Sequence, residues 1–270
     1  MRKKLILVTV TIMILTGCQF EFTDSKDFTQ RQNVKNENLT LEKTFIQENK
    51  VLIGIGDSLT QGVGDERKLG GYLGRFATEL SDFRGVEDVE IENLAKRGRR
   101  SDQLLTQLES GEISQELMHA DMIMMTIGGN DVMSIVKEDL FELKIEAFEN
   151  ELVSFSNRYS GILKEVRLLN PNTPLILMGL YNPFSIVTDE VNEFDFILMN
   201  WNDSIKKMAE QDKNACFVPV DDLFNSNTNL VYHTDFFHPN SKGYKQMSDR
   251  ILDSIQSCGL KELTNGEMDF

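Results

Sequence analysis

Residues 51–60 read VLIGIGDSLT, an apolar run that ends in a glycine-containing turn with a serine. A short, nearly continuous aliphatic run predicts a strand that is covered on both faces, as in a parallel sheet. The turn then places Ser58 just beyond the carboxyl end of this strand, and we expect Asp57 to hold the turn through hydrogen bonds to the backbone. A serine hydroxyl is a weak nucleophile by itself, so another part of the chain must provide a base. The simpler explanation of Ser58 is a helix N-cap.

An imidazole and a carboxylate occur together near the other end of the chain. Residues 235–239 read DFFHP, so Asp235 precedes His238 by three residues. Proline after the histidine disfavours a helical conformation there, and we expect an extended segment that presents the imidazole to a site. His233 is the alternative base, because it lies two residues before the same aspartate. Serine, imidazole and carboxylate are the parts of an activated hydroxyl nucleophile.

Two further segments follow strand-like runs and offer hydrogen-bond donors. Residues 93–98 read NLAKRG, and residues 128–131 read GGND. Ester cleavage passes through an oxyanion, which preorganised N–H groups stabilise. The backbone amides of Ser58 and Gly98 and the side-chain amide of Asn130 could supply three such donors. The simpler explanations are that Gly98 only permits a positive φ and that Asn130 is an ordinary turn residue.

With these four segments in this order, the chain resembles the GDSL esterase/lipase family, whose members are also called SGNH hydrolases. The resemblance covers roughly residues 50–258. It implies that Ser58 is the nucleophile, that His238 is the general base and that Asp235 orients the imidazole. It implies in the same way that the amides of Ser58, Gly98 and Asn130 form the oxyanion hole.

The resemblance further implies a hydrolase that cleaves carboxylic esters through an acyl-enzyme and needs no cofactor. The family includes lipases, lysophospholipases, thioesterases and carbohydrate acetylesterases, so membership alone does not name the substrate. The alternative is a non-catalytic surface-binding lipoprotein on the same scaffold. The sequence shows no metal-ligand spacing, and its histidines are His119, His233 and His238. We expect a surface or packing role for His119 and a turn or cap role for Asp131.

The alternation of apolar runs with helical patterns predicts a single α/β domain. The strand-like runs lie near residues 51–55, 89–94, 122–127, 174–180 and 215–220. Apolar residues recur every three or four positions within 152–169, 194–208 and 244–255, which is typical of helices. We therefore expect an α/β/α sandwich with a central parallel sheet of about five strands, the flavodoxin-like architecture of SGNH hydrolases. Ligand sites in such sheets lie beyond the carboxyl ends of the strands.

The amino-terminal residues have the pattern of an export signal. Three basic residues precede the apolar stretch 5–15, which is too short to span a membrane comfortably. Residues 15–18, LTGC, resemble a bacterial lipobox, in which Cys18 takes a diacylglyceryl group. An ordinary cleaved signal with a chance cysteine is the alternative. We expect an extracytoplasmic protein that a lipid on Cys18 anchors to the cell membrane.

This interpretation divides the chain into four parts. Residues 1–17 would be a lipoprotein signal peptide, and the polar residues 18–50 would be a lipidated tether. Residues 51–258 would form the hydrolase domain, followed by a C-terminal tail at 259–270. The sequence leaves the oligomeric state open.

Charge and cysteine content restrict the partners further. The chain has 28 Lys and Arg residues against 43 Asp and Glu residues, a net charge of −15. This charge argues against nucleic acid as a partner and is compatible with an ester substrate such as a lipid or an acylated envelope sugar. The basic cluster at residues 96–100 is either a solvated loop or an anion-binding element. Once Cys18 is lipidated, Cys216 and Cys258 remain, either as a disulfide or as free thiols.

Overall fold

A computed structural model describes residues 43, 46–138, 144–185, 192–224 and 230–270. Glu42–Phe270 form one compact unit. The expected signal peptide, Cys18 and most of the expected tether lie outside the described residues. Within the described ranges, no helix combines the length and the apolar character that a membrane span needs.

The described residues contain one sheet of five strands, as the pattern of apolar runs predicts. The strands are β1 (Glu48–Gly56), β2 (Val86–Asn93), β3 (Met122–Thr126), β4 (Leu175–Met178) and β5 (Ala215–Val218). Their order is β2-β1-β3-β4-β5, and every neighbouring pair is parallel. The chain thus passes from β1 outward to β2 and returns to β3 on the other side of β1. This reversal is a switch point, where open α/β sheets bind their ligands.

Helices cover both faces of the sheet. Those that the structure describes are α1 (Ser58–Gln61), α2 (Gly71–Leu80), α3 (Ser101–Glu109), α4 (Ser114–Met118), α5 (Gly129–Glu138), α6 (Ile145–Leu169), α7 (Asn192–Glu210), α8 (Ser241–Cys258) and α9 (Leu260–Leu263). The three long helical patterns of the sequence correspond to α6, α7 and α8. The helix α6 ends at Leu169, and its C-cap Asn170 directly precedes a proline, as expected.

The core is divided into two layers by the sheet. Alternate residues of a strand point to opposite faces. Leu52 and Met124 accordingly pack with α2 and α8 in one cluster, whereas Ile53 and Met125 pack with α6 and α7 in the other. This double coverage explains why the central strands are apolar without interruption, and it confirms the α/β/α sandwich.

The edge strand β2 departs from this pattern. We expected strands covered on both faces, but β2 exposes most of its length, including Glu87, Asp88 and Glu90. Charged side chains on an edge strand oppose pairing with a second molecule. The acidic residues of β2 are therefore consistent with its position at the end of the sheet.

The C-terminal residues are part of the domain rather than a tail. Leu260, Leu263 and Met268 are buried against the α2 and α8 layer. The amide of Arg84 donates to the carbonyl of Asp269 at 2.8 Å, and the reverse bond is 3.1 Å. The expected boundary at residue 258 was thus wrong, because these apolar side chains bury themselves in the core.

A disulfide joins Cys216 in β5 to Cys258 at the end of α8, with the two Cα atoms 6.0 Å apart. This settles the alternative that the sequence left open for the two cysteines. The bond connects the edge of the sheet to the helix that begins just after His238.

Candidate active site

The turn after β1 holds Ser58 in a fixed position. The carboxylate of Asp57 accepts the amide of Leu59 at 3.0 Å and so caps α1, as predicted. Gly56, the residue before Asp57, has a φ of 110°, and a Cβ there would lie 1.9 Å from the carbonyl oxygen of Thr126. Only glycine allows β1 to approach β3 this closely. Ser58 itself is 4% exposed and is the first residue of α1.

A chain of hydroxyl groups connects Asp57 to the interior. The hydroxyl of Thr126 donates to Asp57 at 2.7 Å and lies 2.8 Å from that of Thr60, which in turn lies 2.6 Å from the hydroxyl of Tyr72. Burial raises the pKa of Asp57 to about 6, and the bonds from Thr126 and Leu59 oppose this rise only in part. Asp57 is therefore a buried carboxyl group that stabilises the turn.

Ser58, His238 and Asp235 lie side by side in the structure. The distance from Ser58 Oγ to His238 Nε2 is 2.9 Å, and the distance from His238 Nδ1 to Asp235 Oδ2 is 2.6 Å. Burial opposes ionisation of Asp235, but bonds from the ring and amide of His238 and from the amide of Phe237 outweigh it and lower its pKa to about 2. An ionised Asp235 keeps a proton on Nδ1 of His238, and this leaves Nε2 of the same ring free to accept a proton from Ser58.

The alternative base, His233, has a different environment. Its Nδ1 lies 3.8 Å from Asp235, and about a third of its side chain is exposed. His238, by contrast, is 5% exposed. His119 lies at the end of α4, before β3 begins, and so at the opposite edge of the sheet from Ser58. Of the three histidines, the structure brings only His238 into hydrogen-bond contact with Ser58.

The two expected oxyanion segments are bound to each other. The side-chain amide of Asn130, in the first turn of α5, donates to the carbonyl of Arg99 at 3.1 Å. An amide has two N–H groups, so this bond uses one of them. Gly98 has a φ of 78° and no atom within 4 Å of a Cβ built on it. The glycine therefore permits the turn, and it leaves open space above the loop.

A buried cluster holds this loop, and sequence reasoning missed it. Asp131 accepts the hydroxyl of Ser101 at 2.6 Å and the amide of Ser101 at 3.0 Å, while Arg158 donates to it at 3.1 Å. Asp131 thus has the cap role predicted for it, but on α3 rather than on its own helix. The sequence did not indicate a role for Arg158, because it lies on α6 among charged residues that are typical of a helix surface.

The basic cluster at residues 96–100 contributes mainly to the local structure. The guanidinium of Arg99 is buried and donates to the carbonyl of Leu94 at 3.0 Å. Arg100 pairs with Asp102 at 3.0 Å. Arg99 is therefore buried rather than solvated, whereas the side chain of Arg100 is partly exposed, as expected for a solvated loop.

A cavity opens beside Ser58 and Asn130 at the carboxyl ends of β1, β3 and β4. Its apolar walls include Val132, Met133, Leu180, Phe194, Leu198 and Phe237. Gly98 is not among the described residues that line it. The cavity lies next to the hydroxyl of Ser58, so it is positioned to hold a group of a substrate.

The geometry agrees with comparisons to known proteins. Residues 55–246 match the model of the GDSL-like lipase/acylhydrolase family. The chain is 34% identical over 251 residues to the uncharacterized protein YpmR of Bacillus subtilis (strain 168), covering 92% of this chain and 94% of that protein. It is 26% identical over 204 residues to the spore germination lipase LipC of Bacillus licheniformis, covering 73% of this chain and 92% of LipC.

Solved structures share the fold. The lipase Lip_vut3 from a goat rumen metagenome superposes with a TM-score of 0.67 at 24% identity, covering 78% of this chain and 97% of that chain. A catalytic mutant of the acetylxylan esterase Axe2 from Geobacillus stearothermophilus gives a TM-score of 0.57 at 21% identity, covering 80% and 96%.

The fold and the family match define a hydrolase of carboxylic esters. The chain belongs to the GDSL-like lipase/acylhydrolase family.

Proposed function

We propose that this protein is an exported, lipid-anchored serine hydrolase that cleaves carboxylic esters through an acyl-enzyme. The observation that carries the proposal is the continuous hydrogen-bonded series Ser58, His238 and Asp235, with distances of 2.9 and 2.6 Å. Hydrogen-bond contact of a hydroxyl with a base that a carboxylate orients is the arrangement that activates a serine.

In this mechanism, Ser58 Oγ bonds to the acyl carbon while His238 Nε2 takes the hydroxyl proton. The negative charge that develops on the carbonyl oxygen is stabilised by the amides of Ser58, Gly98 and Asn130. The ester C–O bond then breaks, and the proton passes from His238 to the departing alcohol oxygen. A water molecule, deprotonated by the same imidazole, releases the acid and restores Ser58.

The extracytoplasmic location is supported by the signal pattern, the lipobox at residues 15–18 and the disulfide. Disulfides persist in oxidising compartments and are rare in the cytosol. The chain's net charge of −15 offers no attraction to anionic lipid headgroups, so membrane binding would depend on the acyl chains on Cys18. Fractionation of cells that express wild type and Cys18→Ser tests this. We expect the variant to leave the membrane fraction, and a variant that still takes up a fatty-acid label would contradict the anchor.

A fluorophosphonate probe tests the catalytic proposal, because it reacts with a serine only when a base activates it. We expect intact-mass and peptide analysis of the full chain in detergent to find one adduct, on Ser58. The His238→Ala variant should label far more slowly, and Ser58→Ala should not label. A folded wild-type protein that remains unlabelled would favour a binding lipoprotein on this scaffold.

A further inference from the structure

Arg158, on α6, joins the two segments that are expected to stabilise the oxyanion. Its Nε donates to the hydroxyl of Ser101 at 2.6 Å, and its Nη2 donates to Asp131 at 3.1 Å. Ser101 is the first residue of α3 and follows Gly98 by three positions. Asp131 directly follows Asn130 in the first turn of α5. One guanidinium therefore holds both segments.

The contacts of this guanidinium are buried and have a fixed geometry. Ser101 and Asp131 are both buried, and Asp131 also accepts the amide of Ser101 at 3.0 Å. Nη2 of Arg158 donates in addition to Glu151, which lies about two turns earlier on α6. A guanidinium is planar and holds its donors at set angles, whereas a lysine ammonium is a point charge on a flexible stem. The arrangement of the three partners therefore depends on arginine itself.

The position of the Asn130 side chain depends on both segments. Its amide donates one N–H to the carbonyl of Arg99, which lies two residues before Ser101. The backbone that carries Asn130 belongs to α5, so a shift of α3 against α5 would change the direction of the second N–H. Misplacement of a catalytic group by about 1 Å can lower a rate by about 10²-fold.

We propose that Arg158 is a positioning residue for the oxyanion hole. By holding Ser101 against Asp131, it keeps the donors of the two segments aimed at the oxygen on which charge develops. Only the transition state carries this charge in full, so the alignment should affect kcat more than substrate binding. Arg158 is not among the described residues that line the cavity beside Ser58. The inference rests on the proposed function and adds to it a residue that acts through the donors.

Arg167 provides a matched control on the same helix. It also pairs with a carboxylate, because its Nε lies 2.6 Å from Asp212, and it donates to the carbonyl of Thr173 at 2.6 Å. The side chains of Arg158 and Arg167 are similarly exposed, at 22% and 19%. Arg167 lies in the last turn of α6, before β4 begins, and so at the opposite edge of the sheet from Ser58.

The first measurement is kcat and KM of the full chain in detergent on p-nitrophenyl butyrate, with the thermal midpoint of each variant. We expect Arg158→Met to lower kcat by about 10- to 100-fold with KM within about threefold of wild type. Arg167→Met should lower the thermal midpoint as well but keep kcat within about twofold of wild type.

Arg158→Lys is the second variant, for the case that Arg158→Met does not fold because Asp131 is left buried without its charged partner. The lysine keeps the charge but cannot reproduce the fork of bonds. We therefore expect Arg158→Lys to fold and to show a smaller loss of kcat in the same direction.

A double-mutant cycle tests whether Arg158 acts through Asn130. In the Asn130→Ala background, Arg158→Met should lower kcat by less than about a further threefold, because residues that act on one interaction are not additive. A trifluoromethyl ketone gives an independent readout. Ser58 Oγ adds to its carbonyl carbon, the hydroxyl proton passes to His238, and the ketone oxygen becomes an oxyanion. Its inhibition constant should rise in Arg158→Met by about the factor by which kcat/KM falls.

Two results would overturn the inference and leave the proposed hydrolase in place. One is a folded Arg158→Met protein with the kcat of Arg167→Met, which would make the arginine structural only. The other is a loss of kcat that is the same with and without Asn130. If the folded wild type cleaves no ester and takes up no fluorophosphonate, the proposed function itself fails and the inference fails with it.

Discussion

The imidazole of His238 lies 2.9 Å from the hydroxyl of Ser58, although 180 residues separate them in the chain. Close contact between two loops makes this possible. A Cβ on Gly64 would lie 2.5 Å from the carbonyl oxygen of Pro239 and 3.0 Å from Cβ of His238. The hydroxyl of Tyr244, in the first turns of α8, donates to the carbonyl of Val63 at 2.6 Å. The segment after Ser58 thus positions the loop that contains His238.

The two histidines of this loop should differ sharply in importance. We expect His238→Ala to lower kcat on an aryl ester by about 10⁴-fold or more, because the parts of such a triad act as a unit. His233→Ala should reduce kcat by less than about tenfold, since its ring is 3.8 Å from Asp235 and partly exposed. Both variants are measured at the same pH with thermal midpoints as a folding control. The reverse ranking would make His233 the base.

The role of Asn130 can be separated from its structural bond to Arg99. Loss of one oxyanion donor typically lowers kcat by about 10²–10³-fold, or about 2.7–4 kcal/mol, with less effect on KM. We expect this for Asn130→Ala, together with a lower thermal midpoint because the 3.1 Å bond to Arg99 is lost.

Asn170→Ala is the matched control for this measurement. Asn170 also donates through its side-chain amide to backbone carbonyls, those of Leu117 and Ala120, but it precedes β4 at the opposite edge of the sheet. Its loss should lower the thermal midpoint and leave kcat unchanged. An Asn130→Ala enzyme with wild-type kcat would remove Asn130 from the oxyanion hole.

The unfolding free energy should fall as pH rises, because of the raised pKa of Asp57. Its pKa is about 6 in the folded protein against an ordinary 3.8, so the folded state holds a proton that the unfolded state has released between these values. Its contribution to the unfolding free energy is on the order of 2–3 kcal/mol. This contribution is fully present below about pH 3.8 and is lost as pH rises through about 6. Asp57→Asn keeps an oxygen for the amide of Leu59 and the hydroxyl of Thr126 but never ionises.

The measurement is the difference in unfolding free energy between wild type and Asp57→Asn, by denaturant titration from pH 4 to 7. Taking the difference removes the contribution of Asp131, whose pKa is also raised by burial. The difference likewise removes the contribution of Asp235, whose lowered pKa makes its stabilising effect decline below about pH 5. A difference that is constant across this range would contradict an Asp57 that titrates near pH 6.

The disulfide should contribute measurably to stability. It closes a loop with a sequence separation of 42, for which disulfides typically contribute about 2–4 kcal/mol. We expect Cys258→Ser to lower the unfolding free energy by this amount, and dithiothreitol to destabilise the wild type but not the variant. Cys258 is the residue to change, because Cys216 is buried in β5. Equal stability of the oxidised and reduced wild type would mean that the bond does not form.

The sequence predicted the sheet because its central strands are covered on both faces and therefore lack polar interruptions. It also predicted that Ser58 and Asn130 would lie at the same edge, since the carboxyl ends of parallel strands meet there. It could not predict the bond from Asn130 to Arg99 or the burial of Asp131 against Arg158. These depend on contacts between elements far apart in the chain, and neither leaves a periodic pattern. The helix α9 was missed because four residues are too few to show a helical period.

The central claim is that Ser58 is the nucleophile, and the turnover of p-nitrophenyl butyrate by Ser58→Ala tests it most directly. We expect kcat/KM to fall by on the order of 10⁴-fold or more with the thermal midpoint nearly unchanged. Ser134→Ala is the control, because Ser134 is half-buried on α5 and its hydroxyl donates to the backbone carbonyl of Asp131, at 2.7 Å. It should retain full activity. A folded Ser58→Ala protein with near-normal turnover would contradict the mechanism.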